Sequence, residues 1–254
     1  MLRTRIIPAL LLKEDALVKT IQFKKPTYIG DPINTVRIFN ELEVDELIFL
    51  DIVATRENRQ PNMKILSEIA NECFMPLGYG GGLTDFENVK DIFSIGFEKV
   101  VLNTVMHNKP TFVTQIAAHF GNQAVVASID VKKNLFGKYE VWCNGGKTNT
   151  KKNPVAWAQE VEYLGAGEIL LTSIDREGTW SGLDIELLQK VTGAVFLPVI
   201  AHGGAGSIEH IGKAVNDGQA SAVALGSMVV YQQKGMGVLV NFPDQEKLVG
   251  ANVK

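Results

Sequence analysis

The sequence predicts an α/β protein: a single-domain (β/α)8 barrel of the TIM type with an internal half-barrel repeat, spanning 1–254. Three observations carry that expectation. Apolar runs of strand length alternate with amphipathic segments of helix length, the pattern of parallel strands joined by crossover helices. A glycine-rich pattern recurs half a chain apart, with Gly80-Gly81-Gly82-Leu83-Thr84 answered by His202-Gly203-Gly204-Ala205-Gly206-Ser207. A chain of 254 residues, 46% hydrophobic and 21% charged, suits one closed barrel, a fold that needs roughly 250 residues.

Strands are expected near 5–12, 46–52, 75–79, 98–103, 124–130, 167–173, 196–201 and 221–225. The first, Arg5-Ile6-Ile7-Pro8-Ala9-Leu10-Leu11-Leu12, has the same shape as the fifth, Val125-Val126-Ala127-Ser128-Ile129-Asp130. Both read as strands buried on two faces. Only the fifth ends in a carboxylate; Leu11 holds the matching place in the first. Helices are expected near 31–43, 61–73, 84–95, 108–119, 153–164, 184–192 and 207–217. Asp31-Pro32, Asn108-Lys109-Pro110 and Asn153-Pro154 mark starts, each a capping side chain followed closely by proline. Thr84 and Ser207 open the helices behind the glycine clusters. Residues 13–30 read as a long loop after strand one, a length typical of a lid. Residues 131–147 read as a hairpin insertion after strand five. No eighth helix is marked in 228–254, where Gly235, Gly237 and Pro243 interrupt the pattern.

Composition excludes several classes of function. A net charge of −3 offers no basic field for nucleic acid. Cys73 and Cys143 stand apart from any CxxC or His/Cys cluster, so neither a disulfide, a metal site nor a cofactor is expected. No apolar stretch approaches 18 residues and no signal-peptide pattern follows the amino terminus. The expected protein is soluble and cytoplasmic, with no membrane partner.

The candidate chemistry sits at strand ends. Glycine clusters between a strand and a helix let backbone approach an anion, and the helix amides favour phosphate. A tight turn needing positive φ would select the same residues, but two copies half a barrel apart favour phosphate. Gly81, Gly82, Gly203 and Gly204 are therefore phosphate candidates, with Asn103-Thr104 and Gly226-Ser227 beside them. An elongated ligand with an anionic group at each end is implied. Asp51, Asp130, Asp175 and Glu177 lie at carboxyl ends, where a buried carboxylate can exchange protons. Each could instead cap a helix or pair with Lys132 or Arg176. Lys19, in the long loop, could reach over the mouth, although a solvated charge is the default for a lone loop lysine. At the opposite ends of strands one, two, four and six stand Arg5, Glu46, Lys99 and Glu168. Side-chain parity turns Arg5 and Lys99 into the barrel, where charges are expensive unless paired. They fit either a stabilising salt-bridge layer or a gate to an axial passage.

Several blocks resemble the cyclase subunit of imidazole glycerol phosphate synthase: Arg5-Ile6-Ile7-Pro8, Gly30-Asp31-Pro32, Asp45-Glu46-Leu47 through Phe49-Leu50-Asp51-Ile52, Gly80-Gly81-Gly82, and Gly165 through Ser173. The resemblance covers about residues 1–230. It implies a barrel that docks a glutaminase on its amino-terminal face and passes ammonia up its axis to a phosphorylated ribulosyl nucleotide. Residue by residue, it implies an ammonia gate of Arg5, Glu46, Lys99 and Glu168, and a catalytic aspartate at Asp130. Lys19 matches the family's loop lysine, and Glu98 its glutaminase contact. Gly82, Asn103, Thr104, Gly178, Gly204 and Ser227 match its phosphate positions.

Four positions depart from the family pattern. Leu11 stands where it has its second catalytic aspartate, Ala9 where it has cysteine, Glu177 where aspartate is usual, and His202 where it has serine. Losing one positioned acid or base costs about 10²–10⁴ in rate. Three readings follow: a working cyclase using Asp130, Lys19 and Glu177; an ammonia conduit and allosteric partner for a third protein that makes amidino surface sugars; or a bisphosphate-sugar isomerase of the same fold.

Overall fold

The structure, a computed structural model, describes residues 4–244 and 247–248. Its strands are β1 (Arg5–Lys13), β2 (Ala16–Ile21), β3 (Lys24–Gly30), β4 (Leu47–Asp51), β5 (Leu77–Gly80), β6 (Lys99–Leu102), β7 (Val125–Lys133), β8 (Tyr139–Cys143), β9 (Thr148–Asn149), β10 (Glu168–Ser173), β11 (Val199–His202) and β12 (Ala222–Leu225). Its helices are α1 (Pro32–Glu41), α2 (Met63–Glu72), α3 (Phe86–Ser94), α4 (Thr104–Asn108), α5 (Thr111–Phe120), α6 (Pro154–Tyr163), α7 (Ile185–Thr192), α8 (Ile208–Asn216) and α9 (Ser227–Val230).

Eight strands pair in parallel in the order β1-β4-β5-β6-β7-β10-β11-β12. The pairing of β12 with β1, from Arg5 opposite Ala222 to Pro8 opposite Leu225, closes the barrel. Helices lie between successive barrel strands, so the chain is a single-domain (β/α)8 barrel. β2, β3, β8 and β9 are antiparallel additions at the carboxyl-terminal rim.

Local chemistry starts most of the helices. Asp31 accepts from the Asn34 amide at 2.8 Å and Asn153 from the Val155 amide at 2.9 Å, each ahead of a proline in the first turn. Asp184 and Ser207 cap α7 and α8 in the same way. Two starts differ from expectation. Asp85, not Thr84, caps α3, because its carboxylate reaches the Asn88 amide at 2.9 Å. The helix expected near 108–119 is α5, which follows Pro110 with no side-chain cap, and the short α4, not expected, ends at Asn108 just before it.

The segment 13–30 is not a loop. β1 turns at Glu14-Asp15 into β2, and β2 turns at Gln22-Phe23 into β3. Gln22 and Phe23 both have positive φ, 53° and 60°, between the paired Ile21 and Lys24. That is the backbone of a two-residue hairpin, built without the usual Asn-Gly signal. In 131–147, β7 and β8 pair across a turn near Asn134. Of the unmarked tail, Tyr231 bridges Val238, while 245–246 and 249–254 lie outside the described residues, as do residues 1–3 of the first segment.

Two apolar cores hold the barrel. The larger lies between strands and helices and includes Phe39, Phe49, Phe112 and Trp157, all fully buried. The smaller fills the barrel's middle with Ile7, Ala9, Ile48, Val101, Val126, Leu170, Ile200, Ala222 and Ala224. Each large aliphatic chain removed from water is worth about 1.5–3 kcal/mol. This inner plug separates two polar layers, one at each end of the axis.

Candidate active site

Alternation along a strand sends every second side chain inward. On β1 that set is Arg5, Ile7, Ala9 and Leu11; on β7 it is Val126, Ser128 and Asp130; on β10 it is Glu168, Leu170 and Thr172. A charged layer thus forms at the amino ends and a mixed polar layer at the carboxyl ends.

In the lower layer the four charges converge. Arg5 Nη1 meets Glu46 Oε2 at 2.6 Å, and its other terminal nitrogen meets Glu168. Lys99 Nζ lies 2.9 Å from both Glu46 and Glu168. Each cation touches both anions and each anion both cations, so the ring is closed. Burial works against the Arg5 charge, but Glu168 and then Glu46 outweigh it and hold the guanidinium pKa above its ordinary value. Around the ring, Glu98 is exposed just before β6. Phe74 and Phe196, in the turns leading into β5 and β11, are 86% and 99% exposed, and Tyr163, the last residue of α6 ahead of β10, is 90% exposed.

In the upper layer a cavity of about 440 Å³ opens between the strand ends and the β2–β3 hairpin. Leu11, Leu50 and Val101 form its apolar wall; Asn103, Ser128, Asp130, Thr172, Glu177 and His202 form its polar one. Asp130 is buried, and among the described residues no cation pairs with it. Asn103 Nδ2 donates to its Oδ2 at 3.1 Å, and Thr172, its cross-strand neighbour on β10, faces it. Burial dominates these contacts and, with Glu177 adding to it, pushes the carboxyl pKa up to about 7. His202 Nδ1 lies 3.1 Å from Thr172 Oγ1, and burial followed by the nearby Lys19 charge pushes the imidazole down to about 4.

Lys19 overturns the default of a solvated loop lysine. It is 6% exposed on β2 and pairs with Glu177, itself 1% exposed. Glu177 also accepts from Thr20 Oγ1 at 3.1 Å and from the Phe23 amide at 3.0 Å, which latches the hairpin over the mouth. Other acidic candidates resolve as structural. Asp51 accepts from the Val53 and Ala54 amides and pairs with Arg59 at 3.0 Å; Asp175 accepts from the Lys133 amide.

The glycines divide between two cradles. Gly81 and Gly82 border the large cavity with Asn103 and Thr104. Gly178, Gly203, Gly204, Gly226 and Ser227 border a second hollow of only about 10 Å³, room for one water. Lys19 runs alongside it: a Cβ on Gly226 would stand 2.9 Å from Lys19 Cε. Close packing also demands these glycines. A Cβ on Gly81 would lie 2.5 Å from the Asp51 carbonyl, and one on Gly203 2.7 Å from the Ser173 carbonyl, at equivalent places in the two halves.

Sequence reasoning passed over Lys24, Lys25, Arg56 and Lys147, which line the rim of the large cavity. They come from β3 and from two separate loops, and no sequence spacing connects the three segments. It also passed over Thr172, whose role depends on its two cross-strand neighbours. Among the described residues no cluster of His, Cys, Asp or Glu could hold a metal ion, and no helix is long and apolar enough to cross a membrane.

Comparison with known proteins matches residues 5–235 to the family described as Histidine biosynthesis protein. A Pseudomonas aeruginosa protein named, provisionally, imidazole glycerol phosphate synthase subunit hisF2 is 48% identical, across 98% of this chain and 99% of its own. A Leptospira borgpetersenii protein of the same provisional naming, subunit HisF, is 45% identical over 96% of each chain. Imidazole glycerol phosphate synthase subunit HisF of Alkaliphilus metalliredigens is 41% identical over 92% of each.

Proposed function

The chain belongs to the histidine biosynthesis protein family, as a HisF-like member, and from that premise we propose that it is an ammonia-using cyclase-type subunit acting on a phosphorylated ribulosyl nucleotide. Ammonia comes from a glutaminase docked on the amino-terminal face, passes the Arg5–Glu46–Lys99–Glu168 ring, and is consumed in the upper cavity. The observation that carries this reading is the closed ring itself. Four charges placed across a barrel axis, Glu46 buried and Arg5, Lys99 and Glu168 half-buried, directly below an apolar plug and a polar cavity, do more than a core of similar volume would need.

The partner face has its own support. Exposed Phe74, Tyr163 and Phe196 precede the amino ends of β5, β10 and β11 and add apolar area to that end of the barrel, and Glu98 adds a charge beside Lys99. At the other end, Lys24, Lys25, Arg56 and Lys147 give the first cradle a positive rim for one phosphate. The second phosphate would use Gly178, Gly203, Gly204, Gly226 and Ser227 once Lys19 swings away from Gly226. Two free cysteines suit a cytoplasmic subunit. In the reaction, Asp130 exchanges protons at the forming ring, and Lys19 and Glu177 orient and neutralise the substrate.

One observation favours a second reading. Leu11 presents hydrocarbon to the cavity where a second carboxylate would serve ring closure, which suits a conduit that feeds ammonia to a third protein making amidino sugars. Assay of the chain with the ribulosyl bisphosphate and ammonium separates the two. Turnover that falls 10²–10⁴-fold in Asp130→Asn is expected for the cyclase. No turnover, with activity appearing in Leu11→Asp, overturns the cyclase reading and supports the conduit instead.

A further inference from the structure

We propose that Asp130, Thr172 and His202 form one proton-relay row, in which Nε2 of His202 is a second point of proton exchange with the substrate. The three residues are direct cross-strand neighbours: Thr172 stands opposite Asp130 in the β10–β7 register and opposite His202 in the β10–β11 register. All three point into the same cavity, at 8%, 2% and 7% exposure. Thr172 Oγ1 lies 3.1 Å from His202 Nδ1 on one side and faces the side chain of its register partner Asp130 on the other.

A hydroxyl carries one proton, and that fixes what the row can do. When Asp130 is ionised, Thr172 donates to it and must accept from His202, so Nδ1 bears hydrogen and Nε2 a lone pair. A proton arriving at Nε2 then has a path. The Nδ1 hydrogen moves to Thr172 Oγ1 and the threonine's own hydrogen moves to the carboxylate. The product is a neutral acid, a hydroxyl now donating to Nδ1, and an imidazole with hydrogen on Nε2. One proton has entered, one negative charge has been neutralised, and no imidazolium has formed. The reverse sequence delivers a proton from Nε2.

The surrounding charges support this division of labour. Lys19, from β2, opposes a positive imidazole. Glu177 faces both ends of the row but is held by Lys19, and the Cys143 thiol of β8 faces Asp130. Across the cavity Leu11 exchanges no proton, so both exchange points lie on one wall. The catalytic use of the relay rests on the cyclase reading; the relay itself does not.

Nitrogen-15 NMR of the imidazoles tests it, since the chain has four histidines and His202→Asn assigns the signal. At pH 9 His202 should carry hydrogen on Nδ1. Across pH 7 it should change to the Nε2–H tautomer while staying neutral. The change should vanish in Asp130→Asn and Thr172→Val and persist in Thr172→Ser. With ribulosyl bisphosphate and ammonium, His202→Asn should lower kcat at least tenfold with little change in KM. A tautomer indifferent to pH, a change that survives in Asp130→Asn, or an imidazolium at pH 6 overturns the relay. A tautomer change in the wild type without turnover in any variant upholds the relay and overturns the cyclase reading.

Discussion

The two ends of this barrel handle buried charge in opposite ways. At the amino-terminal end two cations and two anions complete one another, and every partner is within ion-pair distance. At the carboxyl-terminal end Asp130 has only neutral donors, Asn103 and Thr172, and its protonation is decided by burial. Mutual pairing holds charges in place across a wide pH range; solitary burial leaves a group ready to gain or lose a proton near neutrality. One fold therefore carries a rigid electrostatic closure below and a titrating wall above, separated by the apolar plug.

The largest effect that would sharpen this contrast is on stability against pH. An aspartate in the unfolded chain titrates near 3.9, and Asp130 in the folded one at about 7. Between these values the native state holds a proton that the unfolded state has lost, so its contribution is present below about pH 4 and is lost as pH rises through 7. The loss is of the order of 4 kcal/mol. Urea unfolding at pH 4 and pH 8 should show it in the wild type and not in Asp130→Asn; equal slopes in both would break the contrast.

Glu46→Gln probes the other end. It leaves Arg5 and Lys99 with Glu168 alone, and breaking a buried pair from one side costs about 3 kcal/mol. The unfolding midpoint should fall accordingly, by nearly the same amount at pH 6 and pH 8, because what is lost is an ion-pair partner and not a bound proton. A cost confined to one pH would mean that the ring is not closed on itself. The smallest effect sets the baseline: Arg37→Ala removes the solvent-exposed pair with Glu72 and should leave the midpoint unchanged.

Much of the barrel was legible in the sequence because its determinants are local. Runs such as Val125–Ile129 can only be strands buried on both faces, and Asp31, Asn153 and Ser207 announce their helices by side-chain capping. The hairpin in 13–30 was not legible. Its turn at Gln22-Phe23 uses positive φ at residues that do not advertise it, and its inner face is fixed by Glu177 from a segment more than 150 residues away. At the site, Asp130 stood out as a carboxylate ending an apolar run. Lys19 looked like a solvated charge because nothing near it in sequence predicts its partner. Asp51, a carboxylate at a strand end like Asp130, is occupied by Arg59 and two backbone amides that the sequence does not bring to it.

By itself the sequence determined the alternation of elements, the inward parity of Arg5 and Lys99, the glycine turns, and the absence of a carboxylate at position 11. These follow from periodicity and side-chain chemistry, which act over a few residues. Only the tertiary structure decided which charges meet, which carboxylate is left without a cation, and that Thr172 joins Asp130 to His202. Those outcomes depend on the register of neighbouring strands and on removal from water. Both are properties of the closed barrel, because they arise only when distant segments are brought within hydrogen-bonding distance.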